Sequence, residues 1–364
     1  MKVVLTGANG FLGWHTRLRL HALTDAATIP ISRENWGELA ESLEDADAIV
    51  HIAGVNRGSD EEVSSGNREL ALSVGRALAS AKRPVRVVYA NSIQDGNGSV
   101  YGAAKGDARS ILKDAAEGTG GRFVDVRLPN LFGEHGRPRY NSFVATFVAA
   151  VRDGITPEID DRPVGLLHAQ GAAAALLDGL TTSESTIEPE VTVVRVQEVF
   201  DLLLEFKRSY DFGEFPDLSS AFRVDLFNTY RTALFPDHAP LRLVPHSDQR
   251  GTFVETVRSR GGEGQTSFST TMPGITRGEH YHLSKIERFA VIAGSARISL
   301  RRMFTDEVVD FHVEGDAPVA VDMPMGWVHN ITNTGPGVLL TQFWSHELFR
   351  PEAPDTFAEP VRST

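Results

Sequence analysis

The residues best suited to chemistry fall into two groups at opposite ends of the 364-residue chain. In the last third, "HYHLSKIE" places His280 and His282 one residue apart and Glu287 five further on. On a strand, side chains at i and i+2 share a face, so both imidazoles project the same way and Glu287 can reach back across a turn. His329, which follows a Pro-x-Gly turn in "PMGWVHNITN", is a fourth donor. Three imidazoles and a carboxylate suit zinc, iron, manganese or nickel, and donor type alone does not separate them. The chain has no cysteine, which removes disulfides, thiolate metal sites, iron–sulfur clusters and thiol nucleophiles.

The N-terminal group is of another kind. "YGAAK" sets Tyr101 and Lys105 four apart, on one face of a helix. A cation there favours the phenolate and would lower the phenol pKa from its usual ~10, making Tyr101 a proton donor to a carbonyl under reduction. Ser92, at the end of "VRVVYANS", can donate to the same oxygen. Tyr281 and Lys285 repeat the spacing without a nucleotide fold behind them. Upstream, "KVVLTGANGFLG" runs from an apolar stretch into Gly7, Gly10 and Gly13 and then a helix. Such a turn brings backbone close to a pyrophosphate at an amide-rich helix N-terminus, although tight turns also use glycine for its positive φ. After the second strand, where an acid would hold the ribose of NAD, stand Ser32 and Arg33. A hydroxyl and a cation suit a 2′-phosphate and favour NADPH, unless Arg33 is only a solvated turn residue.

These groups need elements to position them. The runs "ATIPIS", "DAIVHIAG", "VRVVYANS" and "RFVDVRL" alternate with helical stretches such as "EEVSSGNRELALSVGRALASA", the pattern of a doubly wound parallel sheet. From about residue 241 the pattern changes to short strands separated by turns, which implies an all-β sandwich or barrel; "PDHAPLRLVPHS" is the expected join. Two domains are therefore expected, residues 1–240 and 241–364. A net charge of −12 argues against nucleic acid or an anionic membrane as the main partner. No apolar run spans a bilayer and "MKVVLTG" enters a strand directly, so a cytoplasmic protein acting on small molecules is expected.

The stretches "TGANGFLG", "HIAG", Asn67, Ser92 and "YGAAK" resemble the extended short-chain dehydrogenase/reductase family, which acts mostly on nucleotide-activated sugars. The resemblance implies a Rossmann-like domain. In it Tyr101 is the acid/base, Ser92 polarises the carbonyl, Lys105 orients the nicotinamide ribose and Asn67 maintains the lysine's hydrogen-bond chain. It also implies cofactor contacts from Gly7, Asn9, Gly10, Phe11, Gly13, Ala53, Gly54 and Arg127, with Asn130 of "RLPNLFG" near the sugar diphosphate. Two features depart from the family: the short spacing from Ser92 to Tyr101, which implies a trimmed loop, and "LLHAQGAAAAL", which lacks the usual acidic cluster.

In the last third, Gly274-x5-His280-x-His282-x4-Glu287-x6-Gly294 followed by Pro324-x-Gly326-x2-His329-x3-Asn333 resembles the two motifs of the cupin superfamily, one glycine short before Pro324. That implies His280, His282, Glu287 and His329 as ligands of one divalent metal, zinc among the family's choices. "DQRGTFVE" and "TRGEHYH" are similar to the nucleotide-sugar 3,5-epimerases, in which a histidine is the base beside a 4-keto group; this implies a substrate contact at Arg277. A metal-bound His280 could not be that base unchanged, so the two implications stand as alternatives for His280.

End to end, the chain resembles bifunctional capsular-polysaccharide enzymes that fuse a reductase to a cupin. The resemblance implies C3 epimerisation and then NADPH-dependent C4 reduction of a UDP-2-acetamido-2,6-dideoxy-4-hexulose to UDP-2-acetamido-2,6-dideoxy-L-talose, a precursor of UDP-N-acetyl-L-fucosamine, by a homodimer. The alternative is a 4-reductase whose cupin only dimerises or binds sugar.

Overall fold

Lys2–Thr6 is apolar on both faces, as a strand covered by helices on each side must be. In the computed structural model of the chain, which describes residues 1–362, it is β1 of a parallel sheet. In chain order follow α1 (Phe11–Leu23), β2 (Ala27–Ile31), α2 (Leu39–Leu43), β3 (Ala48–His51), α3 (Asp60–Ala79), β4 (Arg86–Ser92), α4 (Val100–Gly118) and β5 (Phe123–Leu128). The next stretch holds β6 (Asn130–Phe132), α5 (Phe143–Arg152), β7 (Pro163–His168), α6 (Ala169–Asp178), β8 (Thr186–Ile187), β9 (Thr192–Arg195), α7 (Val196–Tyr210), β10 (Phe215–Asp217) and α8 (Ala221–Thr232). The sheet order is β2-β1-β3-β4-β5-β8, so the chain reverses its direction across the sheet between β1 and β3. Ligands of such sheets bind at the carboxyl ends beside that reversal. Alternation along the strands fills two cores: Val4 and Ile49 point to Val74 and Leu112 on one face, while Val3, Leu5 and Val50 point to Leu20 and Leu176 on the other.

Beyond residue 240 the described chain is all strand: β11 (Leu241–Arg242), β12 (Pro245–Asp248), β13 (Gly251–Val254), β14 (Ser259–Gly261), β15 (Gln265–Thr271), β16 (Thr276–Tyr281), β17 (Glu287–Ala293), β18 (Ser295–Arg302), β19 (Val308–Glu314), β20 (Val319–Met323), β21 (Trp327–Asn333), β22 (Leu339–Ser345) and β23 (Phe357–Ala358). Two antiparallel sheets, β11-β20-β17-β22-β15 and β19-β18-β21-β16-β23, enclose a core of Phe289, Val291, Ile298, Leu300, Val321, Ile331 and Leu339. This is the α/β plus all-β architecture expected. Among the described residues no helix is long and apolar enough to cross a membrane.

The compact units do not follow a single cut after residue 240. One comprises Met1–Phe132, Arg139–Ser142 and Pro163–Val194; the other comprises Gly133–Pro138, Phe143–Arg162 and the chain from Arg195 onward. The reason is aromatic packing. Along α7 the buried residues Val199, Phe200, Leu203, Phe206 and Tyr210 form one stripe. Phe200 meets Phe147 of α5 at 5.3 Å and Phe206 meets Phe227 of α8 at 5.4 Å, while Phe215 stacks on Trp344 of β22 at 4.2 Å. Polar ties reinforce this. Buried Arg288 and Asp322 form a bidentate pair at 2.6 and 2.8 Å, to which the Tyr210 hydroxyl donates at 2.9 Å. Helices α5, α7 and α8 thus complete the strand-rich unit.

Candidate nucleotide site and candidate metal centre

At the end of β1, Gly7 adopts φ +71°, and a Cβ there would lie 2.9 Å from the Ala53 amide nitrogen after β3. A Cβ on Gly13 would come within 1.9 Å of the Gly7 carbonyl oxygen. Glycine is what lets β1, α1 and the β3 end approach so closely. Helix α1 starts at Gly10 with no side-chain cap, whereas α3 carries a Ser59/Glu62 capping box and α4 a Ser99 cap. Its first amides are left for another acceptor, and the cradle fits a pyrophosphate. Asn9 is exposed in this turn, and Phe11 packs edge-on against His15 at 5.3 Å. Gly54 follows Ala53, and its missing side chain leaves room for the Asn67 amide oxygen, 3.0 Å from where a Cβ would stand. Asn67 donates to the carbonyls of Val55 and Val63, both at 2.8 Å, and accepts from the Val55 amide at 3.2 Å. Its bonds thus fix the segment after β3. At the end of β2, Ser32 donates to Glu34, an acid that reasoning from Ser32 and Arg33 alone overlooks.

Ser92 is buried at the end of β4, Tyr101 lies in the first turn of α4, and Lys105 is buried one turn on. Lys105 donates to the Ala90 carbonyl at 2.7 Å and sits 4.2 Å from the centre of the Tyr89 ring. The electrostatics differ from the sequence expectation. Burial lowers the Lys105 pKa to about 7 and raises that of the Tyr101 phenol. Tyr101 is thus a neutral phenol, which is the form that donates a proton. Arg127 is held by Asp125 at 3.1 Å and Glu188 at 3.2 Å, and Asn130 is exposed, donating weakly to the Gly165 carbonyl at 3.4 Å.

In the strand-rich unit, donor atoms of His280, His282, Glu287 and His329 all lie within 4.8 Å of one another. The two sheets supply them: His280 on β16 pairs directly with His329 on β21, and Glu287 opens β17 on the facing sheet. His280 and His282 present their imidazoles to the same side, as their i, i+2 spacing predicts, and the irregularity lies just upstream of them. A bulge between Gly278 and His280 puts Glu279 at φ +59°, and His282 lies just past the strand end. The Glu287 carboxylate stands 3.0 Å from His282 Nε2, 3.5 Å from His329 Nε2 and 3.9 Å from His280 Nε2. Burial would raise the Glu287 pKa, but the three imidazoles hold it well below the usual range, while burial lowers His329 to about 4. His282 Nδ1 bonds the Asp355 carbonyl at 2.5 Å and His329 Nδ1 the Trp327 carbonyl at 3.2 Å. A carbonyl only accepts, so each Nδ1 carries the proton and each Nε2 presents a lone pair. Two such nitrogens, the His280 imidazole beside them and a carboxylate fit a divalent ion of the zinc type.

The neighbouring ionisable groups serve the framework. Glu279 accepts from Asn330 at 2.7 Å and from the Val361 amide at 2.6 Å, Tyr281 is buried against Phe357, and Lys285 donates to Pro354 and Thr356. Arg277 is exposed on β16 and donates to Thr271 and Thr270. Asp355, the first residue of the "DTFAEPV" tail, is absent from the sequence-based set.

Residues 3–169 match the NAD dependent epimerase/dehydratase family, and residues 246–357 match the Polysaccharide biosynthesis C-terminal domain. The chain is similar to a UDP-2-acetamido-2,6-beta-L-arabino-hexul-4-ose reductase of Pseudomonas aeruginosa, 35% identical over 98% of each chain. The chain is also similar to the spore coat polysaccharide biosynthesis protein SpsL of Bacillus subtilis, 28% identical over 31% of this chain and 82% of that one. Among solved structures, the capsular polysaccharide assembling protein CapF of Staphylococcus aureus matches with a TM-score of 0.64 and 34% identity, over 99% of this chain and all of that one.

Proposed function

Because the chain belongs to the CapF-like family of UDP-hexulose reductases, we propose that it performs two successive steps on one UDP-linked 4-keto sugar, C3 epimerisation in the barrel and NADPH-dependent C4 reduction in the nucleotide unit. It is an NAD(P)-dependent nucleotide-sugar oxidoreductase of polysaccharide biosynthesis. The observation that carries the finer reading is that one chain holds both a Tyr101/Lys105/Ser92 group beside an open glycine cradle and a converging His280/His282/His329/Glu287 centre. The order of steps follows from carbonyl chemistry. A C4 ketone acidifies the C3 hydrogen, and reduction removes that ketone, so epimerisation comes first. The substrate is a UDP-2-acetamido-2,6-dideoxy-4-hexulose and the product the L-talo sugar.

In the reductive step a bound dihydronicotinamide would supply the hydride that C4 receives. Tyr101, a neutral phenol, would give its proton to the C4 oxygen while Ser92 donates a hydrogen bond to the same atom, so that the ketone becomes an alcohol. Lys105 would orient the nicotinamide ribose, and Arg33 and Ser32 would hold the 2′-phosphate of NADPH. In the barrel, a divalent ion held by the four side chains would polarise the ketone or hold the site in shape. Glu287 and the three imidazoles are then committed as ligands, so the C3 proton moves through another group.

The test is incubation with the UDP-4-keto sugar in D2O, with and without NADPH. Deuterium should enter at C3 without NADPH. Tyr101→Phe should slow NADPH oxidation by at least ~100-fold and leave that exchange in place. Loss of both activities in a folded, metal-loaded Tyr101→Phe protein would refute the division of labour and leave a single reductase site.

A further inference from the structure

The tail from residue 354 to 361 grips the histidine strand of the barrel from both sides. β23 pairs with β16, setting Ala358 opposite His280 and Phe357 opposite Tyr281. On one side, the Asp355 carboxylate accepts from three successive amides, Leu283 at 2.9 Å, Ser284 at 2.9 Å and Lys285 at 2.7 Å, all in the turn that leads from His282 to Glu287. The carbonyl of Asp355 accepts from His282 Nδ1 at 2.5 Å, and Lys285 reaches forward to Pro354 and Thr356. On the other side, Arg301 donates to the carbonyls of Val361 and Pro360, both at 2.8 Å, and the Val361 amide donates to Glu279 at 2.6 Å. Asp355 itself has φ +40°, a left-handed conformation open mainly to glycine, asparagine and aspartate.

We infer that Asp355 is a positioning residue of the metal centre, a role that rests on reading the four donors as metal ligands. Its carboxylate gathers the amides of the turn carrying His282 and Glu287. Being held there, the residue presents its own carbonyl to His282, which fixes the tautomer and aims Nε2 inward. One residue thus sets the orientation of one ligand and the path to a second. Outer partners of ligating histidines typically contribute 10- to 100-fold in metal affinity.

The experiment uses the full chain, zinc alone as probe, a competing chromophoric chelator to read Kd, and thermal melts of the metal-free protein. Asp355→Gly accepts the left-handed backbone and removes the carboxylate; its zinc Kd should rise about 10- to 100-fold. Asp355→Asn keeps the shape and one acceptor oxygen, so its Kd should rise by less, which a merely missing packing contact would not reproduce. Should the glycine variant fail to fold, the asparagine variant still reads a weakened Kd of roughly several-fold. Parental zinc affinity in the folded variants, even with a lowered metal-free Tm, would overturn the inference and leave Asp355 a cap of the turn. If the parent chain binds no zinc, the metal reading fails and takes this inference with it.

Discussion

Replacing Lys105 with methionine should give a protein that is more stable and unable to reduce its substrate. Lys105 is 4% exposed, and burial brings its pKa from 10.5 to about 7. The unfolded chain keeps the lysine protonated up to about 10.5, whereas the folded chain releases that proton near 7. Between those values the unfolded state holds more protons, so the stability of the parent rises with pH across this window. At about 1.36 kcal/mol per pH unit, the full cost of the buried ammonium is on the order of 5 kcal/mol, present below about pH 7 and gone above about 10.5. Methionine has similar length and no charge; it forfeits the bond to Ala90, worth ~1 kcal/mol, and the contact with the Tyr89 ring. Lys105→Met should therefore exceed the parent by a few kcal/mol at pH 6.5, with the advantage shrinking steadily toward pH 10. Urea denaturation of both proteins from pH 6 to 10 measures the gap, and NADPH oxidation measures the loss of function. A gap that does not change with pH would show that Lys105 keeps an ordinary ammonium, and a reductase that survives the substitution would remove it from the site.

Gly13→Ala puts a methyl group 1.9 Å from the Gly7 carbonyl, so α1 must shift; a loss of about 1–3 kcal/mol and NADPH binding weakened by roughly 10-fold or more are expected by denaturation and fluorescence titration, and parental binding would contradict the tight cradle. Glu34→Gln removes the acid bonded to Ser32 and should raise the ratio of NADPH to NADH affinity, while Arg33→Asp should lower it; a ratio unmoved by both rejects the 2′-phosphate assignment. Asp322→Asn leaves the Arg288 guanidinium buried without its carboxylate, which should lower stability by about 3–5 kcal/mol in urea, whereas a change below about 1 kcal/mol would mean that the pair contributes little.

Much of the fold was legible because burial leaves a periodic mark. The apolar runs that form β1 through β5 and the amphipathic stretches of α3 and α7 carry that mark within a few residues. The stripe of α7 shows that the helix has a buried face, yet periodicity cannot say what covers it, so the grouping of α5, α7 and α8 with the barrel stayed hidden. The four candidate metal donors could be read because residue type and spacing concentrate them in two short segments. Asp355 could not, since it meets His282 from 73 residues away through the pairing of β23 with β16. The Tyr101 pKa differs in direction from the sequence expectation for a related reason: spacing shows a neighbouring cation but not burial, which raises the phenol and lowers Lys105.

The Arg288–Asp322 pair also bears on inheritance. Its hydrogen bonds are completed by the Tyr210 hydroxyl and by the Gly213 carbonyl, at 2.6 Å from Arg288, both encoded well upstream of the barrel strands. A recombination breakpoint at the helix-to-strand transition would bring in a foreign barrel whose buried guanidinium had lost its hydroxyl and carbonyl partners. A breakpoint before Arg195 would keep those partners but leave α5 behind, parting Phe147 from Phe200. A single crossover that carries the barrel with everything that covers it must lie before Gly133, and it then also carries Arg139–Ser142 and Pro163–Val194 of the nucleotide unit, so lineages that exchange only the strand-rich part should carry matched changes at Tyr210, Arg288 and Asp322.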